Sequence, residues 1–157
     1  MPKPAPRIRY IDDPEDRQRM VRAVLTALPE WFGIPEATET YIRESAGHAC
    51  FAALRGTEPV GFLCLKETGR ATMELAVLGV LKPYHRQGIG TALFEAARDF
   101  ARSHGYAFLQ VKTVQMGRYP AYDATNRFYQ HLGFQEFEVL PELWGEQNPC
   151  QIYVMAL

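Results

Sequence analysis

The sequence predicts a single domain of the α/β (α+β) class, built on one mixed sheet with flanking helices. Its length of 157 residues suits one domain with one hydrophobic core. Short apolar runs typical of strands alternate with segments of helical periodicity, in the order β-α-α-β-β-β-α-β-α-β-β. Glycine and proline separate these segments, and no internal repeat interrupts them. We therefore expect one domain over residues 1–157.

The first half of the chain is predicted to hold one strand, two helices and three further strands. Residues 7–12 alternate like a half-buried strand, and Asp13 before Pro14 is typical of an N-cap followed by proline at the first helical position. Apolar residues then recur at helical spacing to Leu28, and a second, weaker helix is predicted over residues 35–46. Three strands follow at residues 48–54, 59–67 and 72–81, with a short turn at Gly56, Thr57 and Glu58 between the first two.

The second half is predicted to alternate helices and strands. From Gly90 the apolar residues share one stripe of a helix, and Gly105 supplies its C-terminal stop. An apolar strand covers residues 106–114. Asp123 is predicted to cap a helix over residues 124–131 that ends at Gly133. Two strands at residues 134–140 and 150–157 close the chain.

The composition excludes several classes of protein. Seventeen Lys and Arg nearly balance eighteen Asp and Glu, so the chain lacks the basic field that would hold nucleic acid or an anionic membrane. Its three cysteines show no metal-ligand spacing and are odd in number, which argues against a disulfide framework and a structural metal. No apolar stretch has the length of a signal peptide core or a membrane span. We expect a soluble protein of the cytoplasm.

Two glycines one residue apart mark the start of the central helix. Gly88 and Gly90 lie in "GVLKPYHRQGIGTAL", between an apolar strand and the helix. A helix start presents unpaired amides and a positive dipole end, and a loop without Cβ atoms lets a phosphate approach them. The P-loop pattern is absent, and the dinucleotide fingerprint fails because Leu93 stands where a third glycine is needed. The glycines alone fit a simple tight turn into the helix equally well.

Two longer motifs favour the phosphate interpretation. "HRQGIGTAL" after an apolar strand and "NRFYQHLGF" near the end of the chain resemble the signature motifs of the GNAT superfamily of N-acetyltransferases, [RQ]xxGx[GA] and FYxxxGF. The order of elements is also that of the superfamily, so the resemblance extends over nearly the whole chain. It implies the acyl-CoA N-acyltransferase fold, with a mostly antiparallel sheet, and it implies acetyl-CoA as co-substrate with no metal.

The resemblance also implies which residues bind coenzyme A. Backbone amides of the loop would bind the pyrophosphate, and the backbone of the preceding strand would pair with the pantetheine arm. The loop residues are His85, Arg86, Gln87, Gly88, Ile89, Gly90 and Thr91, and the strand residues are Leu78, Gly79 and Val80. The chain departs from the motif in that His85 occupies the [RQ] position. An Asn is common seven residues before the motif tyrosine, but Tyr122 stands there, so Asn126 is the nearest candidate for that contact.

The catalytic pair implied by the resemblance is Glu74 as general base and Tyr129 as general acid. Glu74 shares a strand face with Ala76, Leu78 and Val80, which would leave one carboxylate among apolar neighbours. Desolvation there would favour its protonated form, as suits a base that works near neutral pH, with a water relaying the proton where the amine lies out of reach. The alternative is a structural Glu that pairs with a nearby Arg or Lys.

The acceptor is expected to be a primary amine on a small molecule or peptide. Four aromatic residues in loops, Trp31, Phe32, Tyr119 and Trp144, are candidates for binding its apolar or planar part, with Glu142 or Glu146 near enough to attract a cation. Simple capping of the core explains these aromatic residues equally well. A homodimer is an expectation from the resemblance alone. A non-catalytic acyl-CoA sensor or docking module on the same fold is the alternative function.

Overall fold

The computed structural model describes residues 5–157, and its elements follow the predicted order. The strands are β1 (Arg7–Ile11), β2 (Ala49–Arg55), β3 (Glu58–Gly69), β4 (Thr72–Val80), β5 (Phe108–Val114), β6 (Gln135–Leu140) and β7 (Cys150–Ala156). The helices are α1 (Pro14–Thr26), α2 (Pro35–Ser45), α3 (Ile89–Ser103) and α4 (Pro120–Leu132), and a short 3-10 turn covers Lys82–Tyr84.

The seven strands form one sheet in the order β1-β2-β3-β4-β5-β7-β6. Strands β4 and β5 run parallel, whereas the pairs β1–β2, β2–β3, β5–β7 and β6–β7 are antiparallel. The predicted α/β class with a mixed, mostly antiparallel sheet is therefore confirmed. Within residues 5–157, no helix combines the length and apolar character that crossing a membrane requires.

Contacts within the chain cluster into two compact units. The first unit contains residues 5–66 and 76–100, and the second contains residues 67–75 and 101–157. Strands β3 and β4 contribute residues to both. The single domain over residues 1–157 stays a prediction, and residues 1–4 lie outside the described part of the chain.

The first unit has its core between α1, α2 and the strands that follow them. Asp13 caps α1 by accepting a hydrogen bond from the amide of Glu15, as the sequence predicted. Apolar residues of α1, the turn after it, α2 and the strands β2, β3 and β4 form one buried cluster: Met20, Val21, Val24, Leu25, Leu28, Ile42, Cys50, Ala52, Phe62, Cys64 and Val77. Full burial of each large side chain contributes roughly 1.5–3 kcal/mol. A Cβ at Gly79 would lie 3.1 Å from Val24 Cγ1, so the glycine permits this close packing.

The second unit is organised around β5 and β7. Their register pairs Lys112 with Ile152 and Val114 with Cys150, and β4 joins β5 through the pair of Glu74 with Gln110. The β2–β3 turn of the first unit and the α3 stop at Gly105 were predicted correctly, because both depend on a glycine with positive φ.

One predicted helix boundary is wrong. Helix α4 begins at Pro120 with Tyr119 as N-cap, four positions before the predicted start, and Asp123 lies inside its first turn. Proline at the first helical position needs no hydrogen-bond acceptor for its nitrogen, so Pro120 sets the boundary. The Asp123 carboxylate instead accepts a hydrogen bond of 2.7 Å from the amide of Gly117. The predicted C-terminal end at Gly133 is correct, with φ of 105°.

Candidate functional site

The loop between β4 and α3, in the first unit, has an unusual backbone. Arg86 (φ 61°) and Gly88 (φ 80°) both adopt left-handed conformations on either side of Gln87, and Arg86 is the non-glycine residue of the described chain with positive φ. The first helical hydrogen bond runs from the amide of Ala92 to the carbonyl of Gly88, at 3.0 Å. Within residues 5–157, the backbone amides of residues 86–91 donate to no other protein group. The loop therefore presents a row of unused donors.

The space beside Gly88 is open. A Cβ built on Gly88 would have no heavy atom within 4 Å, although its positive φ disfavours any side chain there. Unpaired amides at a helix start, reached through open space, are a favourable environment for an anionic group such as phosphate. The residues present thus fit the pyrophosphate of coenzyme A.

Side chains of the same unit stabilise the loop through hydrogen bonds and an ion pair. His85 Nε2 lies 2.6 Å from the carbonyl oxygen of Val80, and Gln87 Nε2 donates to the carbonyl of Pro83 at 3.0 Å. Lys82 forms an ion pair with Glu30, which joins the 3-10 turn to the segment after α1. These contacts hold the loop through side chains while its amides stay unused. The contact between His85 and coenzyme A stays a prediction.

The four candidate aromatic residues are distributed over both units. Trp31 packs edge-on against the ring of His85 at 5.8 Å, so it lies beside the loop. Phe32 meets Tyr41 at 6.0 Å and packs against the core of the first unit. In the second unit, Tyr119 and Trp144 are 40 % and 42 % exposed, respectively. Trp31 and Phe32 therefore serve the core, while Tyr119 and Trp144 keep exposed ring surface, although the ring of Tyr119 also contacts that of Tyr122 at 6.0 Å.

Glu74, in the second unit, forms an ion pair with a residue that the sequence analysis did not identify. Its Oε1 lies 2.7 Å from Nζ of Lys112 on β5, and the two side chains are 11 % and 31 % exposed. The expectation of a carboxylate surrounded only by apolar groups is wrong, because this ammonium faces it. Glu74 is nevertheless buried, as predicted. The short contact with Lys112 holds the carboxylate in one position on the sheet.

Cys150 lies close enough to Glu74 and Lys112 for both charges to affect the pKa of its thiol. Burial raises the pKa of its thiol to about 11, with a smaller lowering effect from Lys112 and a raising effect from Glu74. The residue therefore remains a neutral thiol at physiological pH. Since the thiolate is the nucleophilic form, Cys150 is poorly suited to accept an acyl group.

Tyr129 lies on α4 and is only 6 % exposed. Its ring contacts Phe134 edge-on at 5.9 Å and Tyr153 at 6.1 Å, both in the second unit. Such contacts leave an aromatic side chain few orientations, so the direction of its hydroxyl is fixed by packing.

Asn126 lies one turn before Tyr129 and is fully buried. Its Nδ2 donates to the carbonyls of Val114 at 2.8 Å and Tyr122 at 2.7 Å, and its Oδ1 accepts from the hydroxyl of Tyr153 at 2.7 Å. Burial raises the pKa of Tyr153, which keeps that hydroxyl protonated and able to donate. Asn126 thus ties α4 to β5 and β7, and its expected contact with coenzyme A stays a prediction.

Sequence reasoning missed two residues of this region. Lys112 is the single cation in the apolar strand "YAFLQVKTV", and a lone charge at such a position was a signal that it faces a counter-charge. Tyr153 lies in the last strand among apolar residues, and nothing local indicates that its hydroxyl serves Asn126, which is 27 residues away.

Comparison with known proteins places the chain in a family. The profile of the Acetyltransferase (GNAT) family matches residues 17–134. The Drosophila melanogaster protein named "Probable N-acetyltransferase san" is 27 % identical over 99 residues, which are 61 % of this chain. That match spans about half of the relative, 52 % of its length.

Solved structures resemble the chain over nearly its full length. A protein from Desulfovibrio desulfuricans described as a GNAT acetyltransferase has a TM-score of 0.82 at 21 % identity, covering 96 % of this chain and 98 % of the other. The IAA acetyltransferase of Bacillus cereus has a TM-score of 0.74 at 20 % identity, covering 96 % and 99 %. An aminoglycoside 6'-N-acetyltransferase solved with coenzyme A also has a TM-score of 0.74 at 20 % identity, covering 96 % of both chains. At such identities the likeness establishes the fold, and with the family match it shows that this chain belongs to the GNAT acetyltransferase family.

Proposed function

We propose that the protein transfers an acetyl group from acetyl-CoA to a primary amine. The observation that carries the proposal is the row of unused, accessible amides at residues 86–91, which follows a strand in a chain of the GNAT family. Coenzyme A is bound in one of the structures that share this fold. The three free, buried cysteines suit a reducing compartment such as the cytoplasm.

The coenzyme would be held mainly by backbone. We propose that the amides of residues 86–91 bind its pyrophosphate and that the backbone of Leu78, Gly79 and Val80 binds its pantetheine arm. Acetyl-CoA supplies an activated thioester to the reaction. An amide of residues 78–80 would stabilise the negative charge that develops on the acyl oxygen.

Glu74 is proposed as the general base. An alkylammonium has a pKa of about 10.4, so at neutral pH most of the acceptor carries a proton that blocks attack. An ionised carboxylate accepts that proton, directly or through water. The contact with Lys112 holds the carboxylate in a fixed position, which supports this role.

Tyr129 is proposed as the general acid. The departing thiolate needs a proton, and a tyrosine hydroxyl is a suitable donor at neutral pH. The packing of its ring against Phe134 and Tyr153 fixes the position of that hydroxyl. The roles of Glu74 and Tyr129 are thus complementary.

The acceptor is proposed to be a small amine with an apolar or planar part. The proposed contacts with such a group are the rings of Trp31, Phe32, Tyr119 and Trp144, of which Tyr119 and Trp144 are the more exposed. Proteins of the same fold act on small molecules, as the names of an aminoglycoside acetyltransferase and an IAA acetyltransferase indicate. The alternative, a non-catalytic acyl-CoA sensor, is favoured by one observation: the carboxylate of Glu74 already has a partner in Lys112.

The direct test is thiol release from acetyl-CoA with a panel of amines. The panel spans polyamines, aminoglycosides, amino acids and peptide N-termini, and acetyl-CoA binding is measured in parallel by thermal shift. We expect binding together with turnover of at least one amine class, and mass spectrometry should find the acetylated amine. Binding without turnover across the panel would favour the sensor, and an absence of binding would contradict both functions.

A further inference from the structure

The ion pair of Glu74 and Lys112 presents two opposite charges on one face of the sheet. Glu74 pairs in register with Gln110, and Lys112 lies two residues further along β5, on the same face. The Nζ–Oε1 distance is 2.7 Å, and within residues 5–157 neither side chain has another ionic partner. The site therefore carries a short, partly exposed dipole with no net charge.

This dipole is a poor receptor for a simple alkylammonium. A cation that approaches Glu74 also approaches the ammonium of Lys112, and like charges about 4 Å apart repel by roughly 4 kcal/mol at the effective dielectric of a protein surface. That repulsion offsets much of the attraction to the carboxylate. An acceptor with an additional negative charge beside its amine would not suffer this loss.

The Lys112 side chain has capacity for a ligand, and the Glu74 side chain beside it is 11 % exposed. An ammonium has three donors, and the contact with Glu74 occupies one of the donors on Lys112. The Lys112 side chain is 31 % exposed, so its remaining donors have access to solvent. Oε1 of Glu74 receives no well-directed hydrogen bond in the described structure despite the short distance, so the contact is mainly Coulombic.

We propose that this pair selects a zwitterionic acceptor, an amine with a carboxylate on the same carbon, and that Lys112 is the residue that determines this specificity. The acceptor's ammonium faces Glu74, and its carboxylate faces Lys112, so the two dipoles align in opposite directions. The acceptor class is then the free α-amino acids, with an apolar or aromatic side chain. The inference rests on the proposed acetyl transfer and on Glu74 as its base.

The test compares three amines that share one apolar group: L-phenylalanine, L-phenylalaninamide and 2-phenylethylamine. One charge-assisted hydrogen bond is worth a factor on the order of 10 to 100. We expect kcat/KM for the amino acid to exceed that of the amide by about this factor, chiefly through KM. The amide has the more weakly basic amine, so a larger share is unprotonated and the comparison is biased against the proposal.

Variants assign the preference to Lys112. Lys112→Met should lose most of the preference, and Lys112→Arg should retain it because the guanidinium keeps the charge. Lys66→Met, at an exposed lysine of β3, is the matched control and should keep the preference of the wild type. The wild-type comparison stands by itself if Lys112→Met fails to fold.

The outcomes separate this inference from the proposed function. Acetylation of the amide or of 2-phenylethylamine at least as efficient as that of phenylalanine overturns the zwitterion proposal and leaves acetyl transfer intact. A preference that persists unchanged in folded Lys112→Met also overturns it. Acetyl-CoA binding without turnover of any amine, in this series or the wider panel, contradicts both.

Discussion

The loop after β4 and the cluster around Glu74 differ in which groups they offer to a ligand: the loop offers backbone amides, and the cluster offers side chains. In the loop, the backbone amides of residues 86–91 have no protein acceptor within the described residues. Side chains such as His85, which contacts the carbonyl of Val80, stabilise the loop. Around Glu74 the backbone is paired in strands, and the side chains to which we assign the chemistry are each held by a partner: Lys112 for Glu74 and Tyr153 for Asn126. The loop depends on its backbone conformation, whereas the cluster around Glu74 depends on the contacts that hold each side chain. Substitutions should therefore affect the two regions in different ways.

The largest effect should come from the proposed base. Glu74→Gln removes the proposed proton acceptor, and we expect kcat at neutral pH to fall by about 10²–10⁴. The gap to wild type should narrow at high pH, where more of the amine is unprotonated. Glu95→Gln, at an exposed position of α3, is the matched control. Steady-state kinetics across pH checks this, and a Glu74→Gln protein as active as wild type at pH 7 would contradict the assignment.

A smaller but measurable effect is expected for the buried amide that links α4 to its neighbours. Asn126→Ala removes the acceptor for the hydroxyl of Tyr153 and a donor to the carbonyl of Val114, which should lower the free energy of unfolding by about 2–4 kcal/mol. Asn148→Ala, in a loop, should change it by less than about 0.5 kcal/mol. Urea unfolding measures both. Equal stability of the two variants would mean that the network does not hold the side-chain cluster together.

The smallest effect is expected in the pH dependence of the free energy of unfolding. Cys150 has a folded-state pKa of about 11, raised by burial from an ordinary value of 9.0. A raised pKa means that the unfolded thiol loses its proton first, so the stabilisation is complete below about pH 9 and is lost as pH rises towards 11. Cys150→Ala should therefore flatten this alkaline decline, measured by urea unfolding at several pH values. Parallel declines in both proteins would show that Cys150 does not contribute.

Sequence reasoning succeeded where the signal is local. The loop glycines, the cap at Asp13 and the stops at Gly105 and Gly133 act within a few residues of their own position, so one stretch of sequence contains both the cause and the effect. The predicted start of α4 after Asp123 was wrong because Pro120, also a local signal, begins the helix four positions earlier.

The side-chain cluster was harder to predict because its partners are distant in sequence. Asn126 and Tyr153 are 27 residues apart, and Lys112 meets Glu74 only through the parallel pairing of β4 with β5. The same residue types in another register would have no contact. An ion pair was foreseen as an alternative for Glu74, but its partner and its consequence for the acceptor depend on the sheet.

In the proposed mechanism the loop binds acetyl-CoA through its backbone while side chains move the protons. Titration calorimetry with acetyl-CoA on four proteins tests it most directly: wild type, Gly88→Val, Gly56→Val and Tyr129→Phe. Gly56 is the matched control, since it has φ of 61° and open space at its Cβ, like Gly88, but lies in the β2–β3 turn.

We expect Gly88→Val to bind at least about 100-fold more weakly, the equivalent of two lost charge-assisted hydrogen bonds. Gly56→Val and Tyr129→Phe should match wild type within about threefold, although Tyr129→Phe turns over slowly, because proton transfer is not part of binding. A folded Gly88→Val protein with wild-type affinity would contradict the account.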